Sequence, residues 1–399
     1  MIQPILDSID TISMPVDKVF HPCRLEDADK DDLKYIRIFL SAYSGSKDTF
    51  TAYRRDIERL LLWLWHVEKS TLRDLTRDQL TRFLHFIDKP PKHWIMEQVV
   101  PRVGQSINEP NPNWRPFSSR GKSIQTYQLS SSSMKAMMAS ISTCLTYLVQ
   151  EQYLQQNVML MLRQKNRYIQ REQQTIITRK LTSVQWRSVI ACALDKASGD
   201  FEQERTLFIL SAFYLLGLRI SELSVSDRHT PSMGNFYCDE NHCYWYTVVG
   251  KGNKYREIAV CDDMLSALVR YRKALHLSAY PHKMEQGYLL PKVKGRGGLG
   301  SRQIRKIVMN AFKDAVNRMR VEGDMQNAQD LDVATVHWLR HTAISHDVTL
   351  RPTEHVRDDA GHENITITDR YINVSRKNRH ASAKQKPLLP IEGDDNAVL

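Results

Sequence analysis

No run of about 18 apolar residues, the length a helix needs to cross a bilayer, occurs anywhere in the chain, so no membrane-spanning helix and no membrane partner are expected. Its start, Met1 to Asp7, lacks the basic-then-apolar order of a secretory signal, which points to an intracellular, cytoplasmic protein. Cysteine is scarce and scattered, six in 399 residues, which excludes a disulfide framework and fits thiols in a reducing compartment. The close pair Cys238 and Cys243 has no second pair nearby to complete four zinc ligands. Asp239-Glu240-Asn241 between them reads instead as a hairpin turn, with Phe236-Tyr237 and Tyr244-Trp245-Tyr246 on its strands. The glycine-dense segment from Lys292 to Ser301 matches neither P-loop nor dinucleotide spacing, so no nucleotide cofactor is expected. That segment reads as a flexible basic loop, either meeting phosphate or lying on the surface. Nor is there a carboxylate cluster of the kind that holds paired magnesium ions, so neither metal nor cofactor is expected.

What the chain has in excess is positive charge: 56 Lys and Arg against 45 Asp and Glu, a net +11. That favours an anionic partner, nucleic acid being the simplest, though charge alone does not identify one. At this length two domains can each bury a core. Residues 1–30 read as an N-terminal extension or loose arm. From 31 to 168 the pattern is helical: Leu33, Ile36, Phe39 and Leu40 recur at helical spacing, and Thr49 or Thr51 is placed to cap the stretch from Tyr53 to Trp65. Thr76 precedes a further amphipathic stretch, and Met134, Met137, Met138, Ile141, Leu145 and Leu148 mark a helix whose methionines are expected in the core. Between these lies a Pro- and Asn-rich loop from Pro101 to Ser118, expected to lack regular structure and to decorate the surface or lie along DNA. Residues 169–179 read as a basic linker, crossing a phosphate backbone or ending a solvated helix. A second domain, 180–379, is expected to be helical with one small sheet around 235–260, and its first helix is capped by Thr182 or Ser183. A tail, 380–399, follows.

The chemistry is concentrated in this second domain. His337 and Arg340 are three residues apart and share a face if their segment is helical; Gly361-His362 and Tyr371 follow. A tyrosine hydroxyl can attack a phosphodiester, but its pKa of about 10 leaves it weak at neutral pH. It therefore needs a base nearby and cations on the phosphate oxygens, and an arginine fork can hold two such oxygens at once. Upstream, Leu207 to Leu216 reads as a buried helix broken at Gly217, with Arg219 delivered just after the break. The run Val249-Gly250-Lys251-Gly252-Asn253-Lys254-Tyr255-Arg256 to Val260 reads as a hairpin with Lys251 at its tip, where an ammonium can reach a leaving oxygen. Taken singly, each residue has a structural alternative: Tyr371 in a core, His337 as a helix cap, Arg219 as an ion-pair partner of Glu222. His341 and His346 are assigned structural roles.

These blocks, Leu216 to Leu223, Gly250 to Lys254, His337 to Thr342 and Gly361-His362-Glu363 through Tyr371, resemble the tyrosine recombinases, or phage-type integrases, in composition and order. The resemblance implies a mainly α fold with a small antiparallel β-sheet: a two-domain DNA clamp made of a helical core-binding domain and a mixed catalytic domain. It implies Arg219 and Arg340 as a phosphate clamp, Tyr371 as the nucleophile, Lys251 as general acid to the 5′-hydroxyl, and His337 and His362 handling protons and hydrogen bonds. The implied activity is site-specific DNA recombination through a 3′-phosphotyrosine, serving integration, excision or recombination of a mobile element. The implied partners are double-stranded DNA at a specific site, a homotetramer on two duplexes, and accessory recombination proteins. A type IB topoisomerase-like enzyme or an accessory DNA-binding protein is the alternative. The chain departs from the family pattern before Gly361, where Pro352 suits a helix start and Asp358-Asp359-Ala360 is unusually polar.

Overall fold

The computed structural model describes residues 2–6, 8–12, 27–104, 110–121, 123–162, 179–226, 229–250, 254–283 and 285–361. The expected linker lies almost wholly outside these residues, as do Lys251, His362, Tyr371 and the tail. The chain divides into two compact units, Met1–Thr175 and Ile176–Leu399. As expected, the architecture is mainly α with a small antiparallel sheet. No described helix is long and apolar enough to cross a membrane.

The first unit is built on α1 (Asp27–Ser41), α2 (Lys47–Trp63), α3 (Arg77–Asp88), α4 (Ser131–Gln150) and α5 (Val158–Leu162). Two-residue strands β1 (Ile95–Met96) and β2 (Phe117–Ser118) pair in parallel, a feature the sequence pattern does not announce. Thr76 caps α3 in a full capping box with Gln79, satisfying two otherwise orphaned backbone donors. Helix α2 begins earlier than the threonines suggest: Ser46 is its N-cap, and Thr49 and Thr51 lie inside it. Met134, Met137 and Met138 are buried in the core, as their helical spacing implies.

Two expectations are corrected in this unit. The start of the chain is not a loose arm. Ile5, Leu6 and Ile12 are buried, and the main-chain N–H groups of Ile5 and Leu6 donate to Glu58 Oε1 at 2.8 and 3.0 Å. Nor is the Pro-rich loop mere decoration, because Trp114 and Phe117 enter the core. Arg102 donates to both carboxylate oxygens of Glu58 and to Leu6 O, and its guanidinium lies 4.9 Å from the Trp114 ring centroid. A buried carboxylate needs such partners, and it binds three distant segments together.

The second unit holds α6 (Ser183–Lys196), α7 (Phe201–Leu215), α8 (Ile220–Leu223), strands β3 (Phe236–Cys238), β4 (Tyr244–Val249) and β5 (Tyr255–Ala259), then α9 (Asp262–Ala274), α10 (Ser301–Val321), α11 (Met325–Asp332), α12 (Val336–Leu350) and α13 (Thr353–Ala360). Thr182 caps α6, again with a capping box. The strands form one antiparallel sheet in the order β3-β4-β5. Asp239-Glu240-Asn241 turns the first hairpin, and the second closes at Gly250, whose N–H donates to Lys254 O at 2.8 Å. Helix α7 is apolar on nearly all sides, with Leu207, Phe208, Ile209, Leu210, Ala212 and Phe213 buried, so it forms the centre of this core.

Candidate active site

Central helix α7 ends at Leu215, Gly217 reverses the chain at φ +58°, and Arg219 emerges as the N-cap of α8. Three residues on, Glu222 is 1% exposed, a burial that a carboxylate tolerates only when well partnered. It accepts four hydrogen bonds. Arg219 supplies its main-chain N–H and Nη1, both at 2.8 Å; Arg256, on β5, supplies Nη1 at 2.8 Å and Nη2 at 2.9 Å. Burial alone would raise the Glu222 pKa, but the bonds and charge of Arg256, the Arg219 N–H and the charge of Arg340 together hold it at about 2. The ion pair of Arg219 with Glu222, considered above as a structural alternative, is therefore present.

Helix α12 carries His337 and Arg340. Arg340 is 3% exposed; its Nη1 donates to Gly217 O and its Nη2 to Ala360 O at 2.6 Å. Pro352 starts α13, as its position suggests. The C-terminus of α13 is where the arginines meet. A helix end leaves carbonyls without intrahelical partners and carries partial negative charge. Here three successive carbonyls each accept from a different arginine: Asp359 O from Arg256 Nε at 2.7 Å, Ala360 O from Arg340 Nη2, and Gly361 O from Arg219 Nη2 at 3.4 Å. The polar stretch before Gly361 is also accounted for, since the Asp359 carboxylate pairs with Arg351. Gly361 caps the helix at φ +61°.

His337 is half-buried, and burial first, then the charges of Arg340, Arg219 and Arg179, lower its pKa. Both effects favour the neutral imidazole, which can donate from one nitrogen and accept at the other. His341, expected to be structural, lies against it with ring centroids 4.3 Å apart; burial first, then His337, Arg340 and Arg179, lower its pKa to about 4. His346 is elsewhere, with Nδ1 2.9 Å from the Tyr214 hydroxyl.

Of the six residues singled out in the sequence, Arg219, His337 and Arg340 are brought together, and Lys251, His362 and Tyr371 lie outside the described residues. Gly250 and Gly361, which immediately precede Lys251 and His362, both border the cluster. Arg256 is the residue that sequence reasoning missed. Its signal was alternation: it shares a strand face with Ile258, which is 1% exposed, so the charge points inward and needs a partner. Among the described residues, Arg219 and Arg256 pair with Glu222 and Arg340 adds its charge, an excess of positive charge suited to receiving an anion.

Residues 179–378 match the profile of the Phage integrase family. In fold the chain is similar to the XerH site-specific recombinase bound to difH substrate in a pre-cleavage complex, with a TM-score of 0.54 and 13% identity over 94% of this chain and 93% of that one. The post-cleavage complex of XerH with palindromic difH gives 0.55 and 12% over the same shares. The Tn1549 transposon integrase in complex with circular intermediate DNA gives 0.52 and 14%, covering 89% of this chain and 98% of that one. No curated protein sequence matches the chain.

Proposed function

The chain belongs to the phage integrase family, the tyrosine-type recombinases that cleave and rejoin DNA, and from that premise we propose how its own residues divide the work. Arg219 and Arg340 hold the scissile phosphate, and Tyr371 attacks the phosphorus atom. Lys251 protonates the leaving 5′-oxygen, and the product is a 3′-phosphotyrosyl link with a free 5′-hydroxyl. A 5′-hydroxyl from a partner duplex then attacks that link and releases Tyr371, so the bond energy is conserved and no nucleotide is consumed. His337 and His362 supply hydrogen bonds to the phosphate and relay protons. No step in this sequence calls for a metal ion.

The observation that carries this reading is the convergence of Arg219 and Arg340 on the turn that leads into His362, with His337 within reach of the charge of both. Charge developing on the phosphate oxygens is best stabilised by donors already in place in a partly dry site, and both arginines are held there by carbonyl and carboxylate acceptors. The partner is double-stranded DNA at a specific site, and the XerH and Tn1549 integrase structures of similar fold are DNA complexes. Exchange between two duplexes uses four protomers, with accessory proteins where the target site requires them, in the cytoplasm. The biological reaction is integration, excision or recombination of a mobile element.

Covalent trapping tests this directly. Nicked duplexes tiled across the DNA flanking its own gene are incubated with the protein and with Tyr371→Phe. A denaturant-resistant adduct that disappears in the variant, with DNA affinity retained, is the expected result. Firm binding without any adduct would move the protein to an accessory DNA-binding role, and loss of binding by Tyr371→Phe would remove Tyr371 from the nucleophile's place.

A further inference from the structure

With Arg219 and Arg340 assigned to the phosphate, Arg256 is the arginine of this cluster still without a role. It is 12% exposed, fills one side of Glu222 with its fork and caps Asp359 O with Nε. Two glycines make room for it. A Cβ at Gly250 would stand 3.2 Å from its Nη1, and a Cβ at Gly361 would stand 3.0 Å from its Cδ and 3.2 Å from its Nε and Nη1. These glycines directly precede Lys251 and His362 in the chain. One inward arginine on β5 therefore touches the bases of both segments and, through Glu222, the arginine of a third.

We propose that Arg256 is a positioning residue that keeps Glu222 from withdrawing Arg219 from the scissile phosphate, while seating the Gly250 and Gly361 turns; this rests on the reading of Arg219 as a phosphate ligand. A carboxylate and a guanidinium prefer a two-point, fork-to-fork contact. Glu222 makes that contact with Arg256, so Arg219 reaches it through Nη1 alone, besides its main-chain N–H. Without Arg256 a buried carboxylate would lose two donors, and such a group recruits whatever cation is within reach. Arg219, three residues along, is that cation. Its fork would turn onto Glu222 and away from the DNA. Lysine at 256 keeps the charge but has no fork, so it satisfies one oxygen and relieves the competition only in part.

The test uses the full chain and the nicked duplex that gives the wild-type adduct, measuring the single-turnover rate of adduct formation at saturating DNA alongside DNA affinity. Four proteins are compared: wild type, Arg256→Gln, Arg256→Lys, and Arg256→Gln combined with Glu222→Gln. Arg256→Gln is expected to slow adduct formation about 100-fold, the scale of a small misplacement of a catalytic group, with affinity within about threefold of wild type. Arg256→Lys falls between. The double variant, in which no buried negative charge draws Arg219 away, is expected to react about tenfold faster than Arg256→Gln alone. A merely structural arginine would give the opposite order, because a second buried change adds damage. The proposal is overturned if Arg256→Gln reacts at the wild-type rate, if the double variant is no faster than the single one, or if affinity falls in step with rate. Should Arg256→Gln fail to melt cooperatively, Arg256→Lys decides, and a wild-type rate there overturns it. A wild type that gives no Tyr371-dependent adduct would instead sink the underlying assignment of the site.

Discussion

Replacing Glu222 by Gln removes the carboxylate that Arg219 and Arg256 share and on which the charge of Arg340 acts. At neutral pH the change leaves Arg219 and Arg256 without their shared counter-charge while keeping shape and volume. Its size follows from the pKa: a folded value of about 2 against the ordinary 4.5 corresponds to about 3 kcal/mol of stability at neutral pH. The group is buried, so solvent does not screen this away. It also lies within the range of about 3–5 kcal/mol for removing one partner of a buried pair. The sign is that of a depressed carboxylate: the contribution is complete above pH 4.5 and is lost as pH falls toward 2. Denaturant unfolding at pH 7 should therefore place Glu222→Gln about 3 kcal/mol below wild type, read through hydrogen exchange of amides on β5 and α12 so that the second unit is followed by itself. The gap should narrow as pH falls from 4.5 toward 2, where wild type is losing the same charge. A variant within 0.5 kcal/mol of wild type at pH 7, on the order of an ordinary surface change, or a gap that stays constant with pH, would refute the argument.

Two further outcomes follow from the same cluster. Gly361→Ala places a side chain at φ +61° and 3.0 Å from Arg256 Cδ, so it should cost at least the roughly 1–2 kcal/mol of a left-handed L-residue and lower the melting temperature by several degrees; an unchanged melt would refute the close approach. The His341 imidazole should titrate near pH 4 in side-chain NMR, and because the unfolded ring takes its proton near 6.5, stability should fall as pH drops through that window. Titration of His341 near 6.5 would show that the ring is neither buried nor crowded by His337 and Arg340.

Local signals carried much of the architecture. Helical spacing placed the methionines of α4 in a core, Thr182 at the right offset announced the cap of α6, and Asp239-Glu240-Asn241 turned the first hairpin. One misreading was local, the cap of α2 at Ser46 rather than Thr49 or Thr51; the larger ones were non-local. Nothing within a few residues of Ile5 or Trp114 indicates that Glu58 and Arg102 will tie the start of the chain and the Pro-rich loop into one core. His341, read as structural, packs on His337 one helical turn away.

The order of the blocks around Arg219, Gly250, His337, Gly361 and Tyr371 determined the family and the type of chemistry, because residue type and spacing are what a sequence records. What only the tertiary structure decided is how Arg219, Arg256 and Arg340 share Glu222 and the carbonyls of Asp359, Ala360 and Gly361. The physical reason is that a main-chain carbonyl is the same at every position, so its choice of partner leaves no mark on the sequence. That choice appears only when α13 ends beside the arginines of three other elements.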